Sequence, residues 1–143
     1  MSYKQGVENR LVDAYRHTRY IVEAPSGELV LSVGQPNALA DGLLEAFGAK
    51  SCALITACNP GSRELTSAEN EQRHRELTAD VGALGYKFFS GRGVGEDPTW
   101  TPERSLFIIG IDRTEAEQLG GRFGQLAIII KRVGEPVELC LLE

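Results

Sequence analysis

The chain has 143 residues, a net charge of −5 and 42% hydrophobic residues, which is the size and composition of one globular domain. The net acidity argues against a protein that binds nucleic acid mainly through phosphate contacts. The three cysteines, Cys52, Cys58 and Cys140, include no C-x-x-C spacing. Neither a disulfide framework nor a zinc site is therefore indicated.

The sequence predicts a cytoplasmic protein with a single domain over residues 1–143. The first ten residues lack the apolar segment of a secretory signal. The longest apolar run, 126–130, is far shorter than the roughly 20 residues that span a bilayer. Free thiols suit a reducing compartment.

Hydrophobic periodicity and turn residues predict alternating helices and strands. In chain order, these are helix 5–17, strands 18–24 and 28–33, helix 37–47, strand 51–57, helix 67–84, strands 86–89 and 105–111, helix 114–123, and strands 125–132 and 137–142. This order predicts an α/β or α+β fold. We expect a single mixed β-sheet of six to seven strands, with three to four helices packed on it.

Cap and turn residues support several of these boundaries. The Pro-Ser-Gly run at 25–27 predicts a hairpin turn, and Asn37 is suited to cap a helix. The T-x-x-E patterns at 66–69 and 114–117 predict capping boxes. The glycine- and proline-rich residues 90–103 predict a long loop, either a flexible flap or a phosphate contact.

The chain direction brings several polar segments to one edge of the predicted sheet. We define the upper edge as the one where strand 51–57 ends. Strand 86–89 runs in the same direction, so 56–66, 90–104, 122–125 and the start of helix 67–84 meet there. Ligands of open α/β sheets bind outside the carboxyl ends of the strands. This convergence predicts a ligand site at the upper edge.

Helix 67–84 carries polar residues where its apolar stripe reaches the upper edge. Leu77, Val81 and Leu84 form the stripe, which leads back to Asn70 and either Arg73 or His74. The free N–H groups and positive dipole of a helix start favour an anionic or carbonyl-bearing ligand. The alternative is that Asn70 only ties down the loop over 58–66.

The remaining candidates have a structural interpretation beside the functional one. Asn59 either reads a ligand or forms an Asx-turn. Trp100 either stacks on a ring or anchors its loop on the core. Glu103 is a candidate acid or base, or a structural hydrogen-bonding group. Gln125 either reads a ligand or caps backbone groups.

An ordered set of motifs supports a family assignment. It comprises Ala14-Tyr15, Thr18-x-Tyr20, Ile55-Thr56-Ala57-x-Asn59-Pro60, Ser62, Asn70, Gly91-x-Gly93, Trp100-x-x-Glu103, Ser105-x-Phe107 and Phe123-Gly124-Gln125-x-Ala127. Over about 14–130, the chain resembles the bacterial family named domain of unknown function 3293, which implies motif positions but no activity. Cys58 and Arg104 depart from the family pattern, where a large residue and a second acidic residue are expected. Cys58 is therefore a poor nucleophile candidate, and Glu103 remains the weak catalytic candidate.

We thus predict a pocket for a small anionic or nucleotide-like ligand, with no cofactor or metal identified. Its predicted lining is Thr56, Asn59, Ser62, Asn70, Arg73, Gly91, Gly93, Trp100, Glu103, Ser105 and Gln125. The alternative is a non-catalytic interaction module whose polar motif residues hold loops in place. Strand 137–142 is then a candidate edge for a homodimer, and neither a membrane nor nucleic acid is an expected partner.

Overall fold

The secondary structure is described here from a computed structural model that covers residues 3–142, leaving aside the side chains of residues 3–5, 7 and 8. Within that range the chain forms four α-helices and seven β-strands. The helices are α1 (Tyr3–Arg16), α2 (Ala38–Ala46), α3 (Ser67–Leu84) and α4 (Arg113–Arg122). The strands are β1 (Arg19–Ala24), β2 (Gly27–Leu31), β3 (Ser51–Thr56), β4 (Lys87–Val94), β5 (Glu103–Ile109), β6 (Ala127–Arg132) and β7 (Glu138–Leu141).

The seven strands form one sheet in the order β2-β1-β4-β5-β3-β6-β7. Each neighbouring pair is antiparallel. The prediction of one sheet of six to seven strands with three to four helices is confirmed, in its α+β form, but the sheet is antiparallel throughout and not mixed. β3 and β4 run in the same direction, as expected, but β5 lies between them. The rule for carboxyl ends of parallel strands therefore does not apply to this sheet.

The two faces of the sheet carry separate hydrophobic clusters, because side chains alternate along each strand. On the first face, Leu54 and Phe107 pack with Leu44 of α2. On the second face, Ile55 and Ile108 pack with α3 and α4. We call these the α2 face and the α3 face. Helices α3 and α4 cover β3, β5 and β6. On the α3 face, β4, β1 and β2 extend past the area that these two helices cover.

Local sequence signals determine several boundaries. Asn37 caps α2 by accepting a hydrogen bond from the Ala40 N–H at 2.9 Å. The predicted capping box at 66–69 opens α3, since the side chains of Thr66 and Glu69 each accept from the other's backbone N–H at 3.1 Å. β1 and β2 form the predicted hairpin. These interactions are short in sequence, which explains why the pattern alone predicts them.

Three predictions were wrong at specific positions. Residues 90–94 are not loop but the second half of β4, since their backbone groups pair with β1 and β5. Helix α4 begins after Asp112, which accepts from the Glu115 N–H at 2.8 Å, so the box at 114–117 does not form. Leu84, the last residue of α3, is 45% exposed, so the buried stripe consists of His74, Leu77 and Val81.

One charged side chain is fully buried in the sheet. Lys131 of β6 is 1% exposed, and its Nζ donates to Asp41 Oδ1 at 2.6 Å and to the backbone oxygens of Arg132 and Glu135. These partners compensate the cost of burying the ammonium group. None of the helices within residues 3–142 is both long and apolar enough to cross a membrane.

Candidate functional site

The upper edge of the sheet brings together the strand ends that the sequence predicted. β3 ends there at Thr56 and β4 at Val94, while β5 begins there at Glu103 and β6 at Ala127. Because every neighbouring pair is antiparallel, strands that end at this edge alternate with strands that begin there. The turn after β3 is held against the start of α3, so the polar residues of both segments meet.

Two asparagine side chains connect the turn after β3 to helix α3. Asn70 Nδ2 donates to Asn59 Oδ1 at 2.8 Å, and the Asn59 backbone N–H donates to Asn70 Oδ1 at 2.9 Å. Asn59 Oδ1 also accepts from the Leu65 N–H at 2.9 Å. Asn59 has a φ of 48°, a left-handed conformation that asparagine tolerates better than most residues. Asn70 therefore ties down the loop, as the structural interpretation expected.

Arg73 and Gln125 hold the same turn from its other side. Arg73 Nε donates to the Ala57 carbonyl at 2.6 Å, and the guanidinium also donates to the Phe123 carbonyl. Gln125 Nε2 donates to the Cys58 carbonyl at 3.1 Å. Both side chains therefore bind backbone oxygens at the upper edge, and Gln125 fulfils the capping role among its two alternatives.

The chain approaches itself closely where α4 gives way to β6. Gly124 has a φ of +70°, and a Cβ there would lie 2.9 Å from Pro60 Cβ. The Gly61 N–H donates to the Gly124 carbonyl at 2.8 Å. Glycine is therefore required in the Phe-Gly-Gln motif by both conformation and space.

Thr56 and Cys58 also take part in holding the turn. Thr56 Oγ1 donates to the Arg104 carbonyl at 2.6 Å and accepts from the Cys58 N–H at 3.1 Å. The Cys58 thiol lies 3.7 Å from the same carbonyl, and burial raises the pKa of Cys58. A thiol with a raised pKa is a weak nucleophile at neutral pH, which agrees with the prediction from the sequence.

Glu103 differs from its neighbours because its carboxylate has few partners. Its hydrogen bond is a long one, from Asn59 Nδ2 at 3.5 Å. The side chain is half-buried at the start of β5. Burial raises the pKa of Glu103, and the Asn59 contact offsets this only in part. A carboxyl group whose pKa is raised towards neutrality is suited to donate or accept a proton.

Two tyrosines lie on the same face of the sheet near Glu103. The rings of Tyr15 and Tyr20 stack with centroids 6.5 Å apart. Burial, followed by the charge of Glu103, raises the pKa of Tyr15 to about 12. Burial also raises the pKa of Tyr20, with smaller effects from Tyr15 and Glu103. Both phenols therefore stay protonated at neutral pH and can donate hydrogen bonds.

Gly93 explains how Tyr20 comes near Glu103. In the sheet, Gly93 of β4 lies between Tyr20 of β1 and Glu103 of β5. A Cβ at Gly93 would lie 3.4 Å from Tyr20 Cε1, so the tyrosine ring leans over the glycine. Because Gly93 has no side chain, the Tyr20 ring and the Thr18 methyl group, 3.5 Å from a Cβ at Gly93, occupy this position. We call Tyr15, Tyr20, Gly93 and Glu103 the tyrosine–glutamate row.

Gly91 and Ser105 lie one step further into the sheet. They are paired across β4 and β5, and a Cβ at Gly91 would lie 3.0 Å from both Ser105 Oγ and Leu54 Cδ1. Neighbouring side chains therefore fill the space above Gly91, which is part of a strand and not of a flap. Ser105 Oγ is buried and has no hydrogen-bond partner, which leaves a hydroxyl unsatisfied two residues from Glu103.

Ser62 and Trp100 are the most exposed of the predicted residues. Ser62 lies in a short turn over Pro60–Ser62 and has a φ of 61°. Trp100 is 68% exposed, and its ring is the nearest contact that a Cβ at Gly95 would meet, at 3.6 Å. Trp100 therefore does not anchor its loop on the core, and most of its ring remains free to stack.

The chemistry available at the upper edge is proton transfer and hydrogen bonding. Glu103 is the group with a raised carboxyl pKa, and the tyrosines and Asn59 surround it. His74, the histidine of α3, lies on the α3 face, whereas Glu103 lies on the α2 face. In the part of the chain that the structure describes, no three His, Cys, Asp or Glu side chains gather in a way that would hold a metal ion.

Comparison of the sequence with known protein families identifies one family that the chain matches. Residues 55–128 match the family described as "Protein of unknown function (DUF3293)". The chain belongs to this family. The match contains the asparagine pair, Glu103 and Gln125, whereas Tyr15 and Tyr20 precede it. No curated protein and no solved structure matched the chain.

Sequence reasoning missed the position of the two tyrosines beside Glu103. Tyr15 and Tyr20 belong to the motifs quoted for the family resemblance, but neither was predicted as a site residue. Their positions, at the end of α1 and the start of β1, are the sequence signal that could have indicated a shared location. Their proximity to Glu103 depends on the pairing of β1 with β4 and of β4 with β5, which the sequence does not reveal.

Proposed function

We propose that this protein binds a small polar molecule at the upper edge of the sheet, with Glu103 as the group that exchanges a proton with it. The observation that carries the proposal is the contrast in hydrogen bonding within one cluster. Asn59 and Asn70 have short reciprocal hydrogen bonds, whereas Glu103 has one contact of 3.5 Å. A half-buried carboxyl group with a raised pKa and few partners is a recognised feature of functional sites.

A nucleotide-like ligand fits this site better than a simple anion. Arg73, the cation predicted to bind an anion, donates to two backbone carbonyls instead. The N–H groups at the start of α3 are partly used by the capping box. The tyrosine–glutamate row offers aromatic rings, phenol donors and a carboxyl group, and the exposed ring of Trp100 is available to stack.

The proposal is tested by screening nucleosides, nucleotides and planar metabolites for a thermal shift. A ligand that binds the folded state raises the melting temperature according to its concentration relative to Kd. We expect a compound that stabilises the wild type to lose that effect in Glu103→Gln. In Gly93→Val, the added side chain would press against the Tyr20 ring and displace it relative to Glu103, and we expect the same loss.

Two further variants serve as comparisons. Glu45→Gln changes an exposed glutamate on α2 and should retain every shift. Asn70→Ala should lower the melting temperature itself by breaking both asparagine hydrogen bonds. If ligand shifts survive unchanged in both Glu103→Gln and Gly93→Val, the site is not at the row. Incubation of each hit followed by mass spectrometry then separates binding from turnover.

A second candidate function is an interaction module without chemistry. The mutual hydrogen bonds of Asn59 and Asn70 favour it, because they hold the turn without any ligand. β7 is an edge strand, and its Leu141 is 40% exposed, which suits pairing with a second copy of the chain. Light scattering tests this: Leu141→Lys should convert a dimer to a monomer, whereas a monomeric wild type contradicts it.

We further propose that the protein acts in the cytoplasm. Cys52, Cys58 and Cys140 are all free and buried, which fits a reducing compartment. Localisation of a tagged chain by cell fractionation tests this, and recovery in an oxidising compartment would contradict it.

A further inference from the structure

A groove of about 500 Å³ lies on the α3 face, away from the tyrosine–glutamate row. Its walls include His74 and Thr78 of α3, Phe88 and Ser90 of β4, and Leu106 of β5. The groove exists because α3 packs against β5 while the sheet continues into β4 beyond it. Its volume is within the range of small-molecule sites, roughly 300–1,000 Å³.

A smaller hollow of about 220 Å³ continues this groove along the sheet. Ser90 and Arg104 line both spaces, and the hollow adds Glu23 and Arg92. Arg92 is held by ion pairs with Glu23 at 3.4 Å and Glu28 at 3.1 Å. Arg104 is the cation that lines both spaces, while Arg75 lines only the groove.

His74 is the buried polar group in the wall of the groove. It is 5% exposed, and its Nδ1 is buried without a hydrogen-bond partner. Burial and the nearby charge of Arg104 lower the pKa of His74, while Glu71 acts in the opposite direction. The imidazole is therefore neutral at pH 7, with one N–H. An unpaired lone pair is tolerated better than an unpaired N–H, which places the proton on Nε2 and makes the ring a donor.

Arg104 supplies a second donor beside His74. Its guanidinium donates to both carboxylate oxygens of Glu71, at 2.7 and 2.6 Å. Half of the Arg104 side chain is exposed, and ion pairs of that kind contribute little to stability. The carboxylate of Glu71 can therefore be replaced by an oxyanion of a ligand, since a guanidinium group pairs with both carboxylates and phosphates.

We propose that this groove is a second ligand site and takes a small aromatic oxyanion. The ring of the ligand lies against Phe88 and Leu106, and its oxyanion accepts hydrogen bonds from Arg104 and His74. Carboxylates and phosphate esters share this chemistry. The site does not depend on Glu103, whose side chain lies on the opposite face of the sheet.

The experiment is an NMR titration of the full chain with benzoate and with phenyl phosphate. Shifts of the His74 ring and of the Ser90 and Leu106 amides are expected to saturate together. Acetate, which lacks the ring, and benzyl alcohol, which lacks the charge, should bind at least ten-fold more weakly. Preference for benzoate identifies a carboxylate ligand, and preference for phenyl phosphate identifies a phosphate ester.

Matched variants keep the proposal falsifiable. Arg104→Gln should weaken binding at least ten-fold, because it removes the charged donor. The fold should be retained, since the Arg104 backbone carbonyl still accepts from Thr56. His74→Gln should weaken it as well. Arg113→Gln removes an equally exposed arginine of α4 and should leave Kd unchanged, as should Glu103→Gln. Absence of saturable shifts, or equal losses in the Arg104 and Arg113 variants, would overturn the proposal.

Discussion

The polar residues on the two sides of Asn59 differ in how well they are hydrogen-bonded. On the side of α3 and α4, three side chains each donate a hydrogen bond to the turn after β3. These are the side chains of Asn70, Arg73 and Gln125. Towards β5, Glu103 has one long contact and two tyrosines beside it. We call the first region the anchor and compare it with the tyrosine–glutamate row.

This comparison shows that motif residues of one cluster differ in how completely their polar groups are hydrogen-bonded. The anchor residues satisfy backbone groups that would otherwise be buried without partners, which costs about 1–3 kcal/mol for each group. In the row, the carboxyl group of Glu103 has only one long hydrogen bond, and the two phenols beside it stay protonated. Changes in the anchor should therefore reduce stability, whereas changes in the row should alter pH dependence and binding.

The largest expected effect is that of Arg73→Met in the anchor. The change leaves the carbonyls of Ala57 and Phe123 without their charged donor, and each such hydrogen bond contributes about 1.5–3 kcal/mol. We expect the free energy of unfolding in urea to fall by about 3 kcal/mol. Arg122→Met is the control, since its exposed ion pair with Asp80 should contribute less than about 1 kcal/mol. Equal losses would contradict the anchor role.

A smaller effect is expected for Gly124→Ala, compared with Gly110→Ala. Both glycines have a positive φ, +70° and +87°, but only a Cβ at Gly124 meets another atom, Pro60 Cβ at 2.9 Å. Both changes should cost about 1–2 kcal/mol for the left-handed conformation. Overpacking should add about 1–3 kcal/mol at Gly124 alone. Urea unfolding measures the difference, and equal values would show that the turn does not need this close approach.

The smallest expected effect on stability is that of Glu103→Gln in the row. Burial raises the pKa of Glu103 above 4.5, so the folded state holds its proton more tightly than the unfolded state. Its contribution to stability is present below about pH 4.5 and is lost as pH rises through the folded pKa. Relative to Glu103→Gln, the wild type should therefore lose stability over this range, by about 1 kcal/mol or less.

Glu69→Gln provides a control of opposite sign. Hydrogen bonds from Thr66 lower the pKa of Glu69 below 4.5, so its contribution is present above that pH and is lost on acidification. Urea unfolding between pH 3 and 8 compares the two variants with the wild type. Parallel profiles for Glu103→Gln and Glu69→Gln would contradict the distinction between the row and a surface cap.

The amino-acid sequence predicts the parts of this fold that depend on near neighbours. The hairpin over β1 and β2, the Asn37 cap, the capping box at 66–69 and the bounds of α3 all follow from residues a few positions apart. The error at 90–94 has the opposite origin. Glycine-rich residues are typical of loops, but pairing with two neighbouring strands compensates for their low strand propensity, and Leu54, Ser105 and Tyr20 fill the space above them.

The sequence by itself predicted that polar motif residues gather at one edge of a single sheet, because the direction of each strand follows from the order of helices and strands along the chain. Only the tertiary structure decided which of them bind backbone groups. Whether Arg73 faces a ligand or two carbonyls depends on contacts separated by 16 and 50 positions. The nearness of Tyr20 to Glu103, and the groove beside His74, likewise depend on long-range strand pairing and helix packing, which no local pattern encodes.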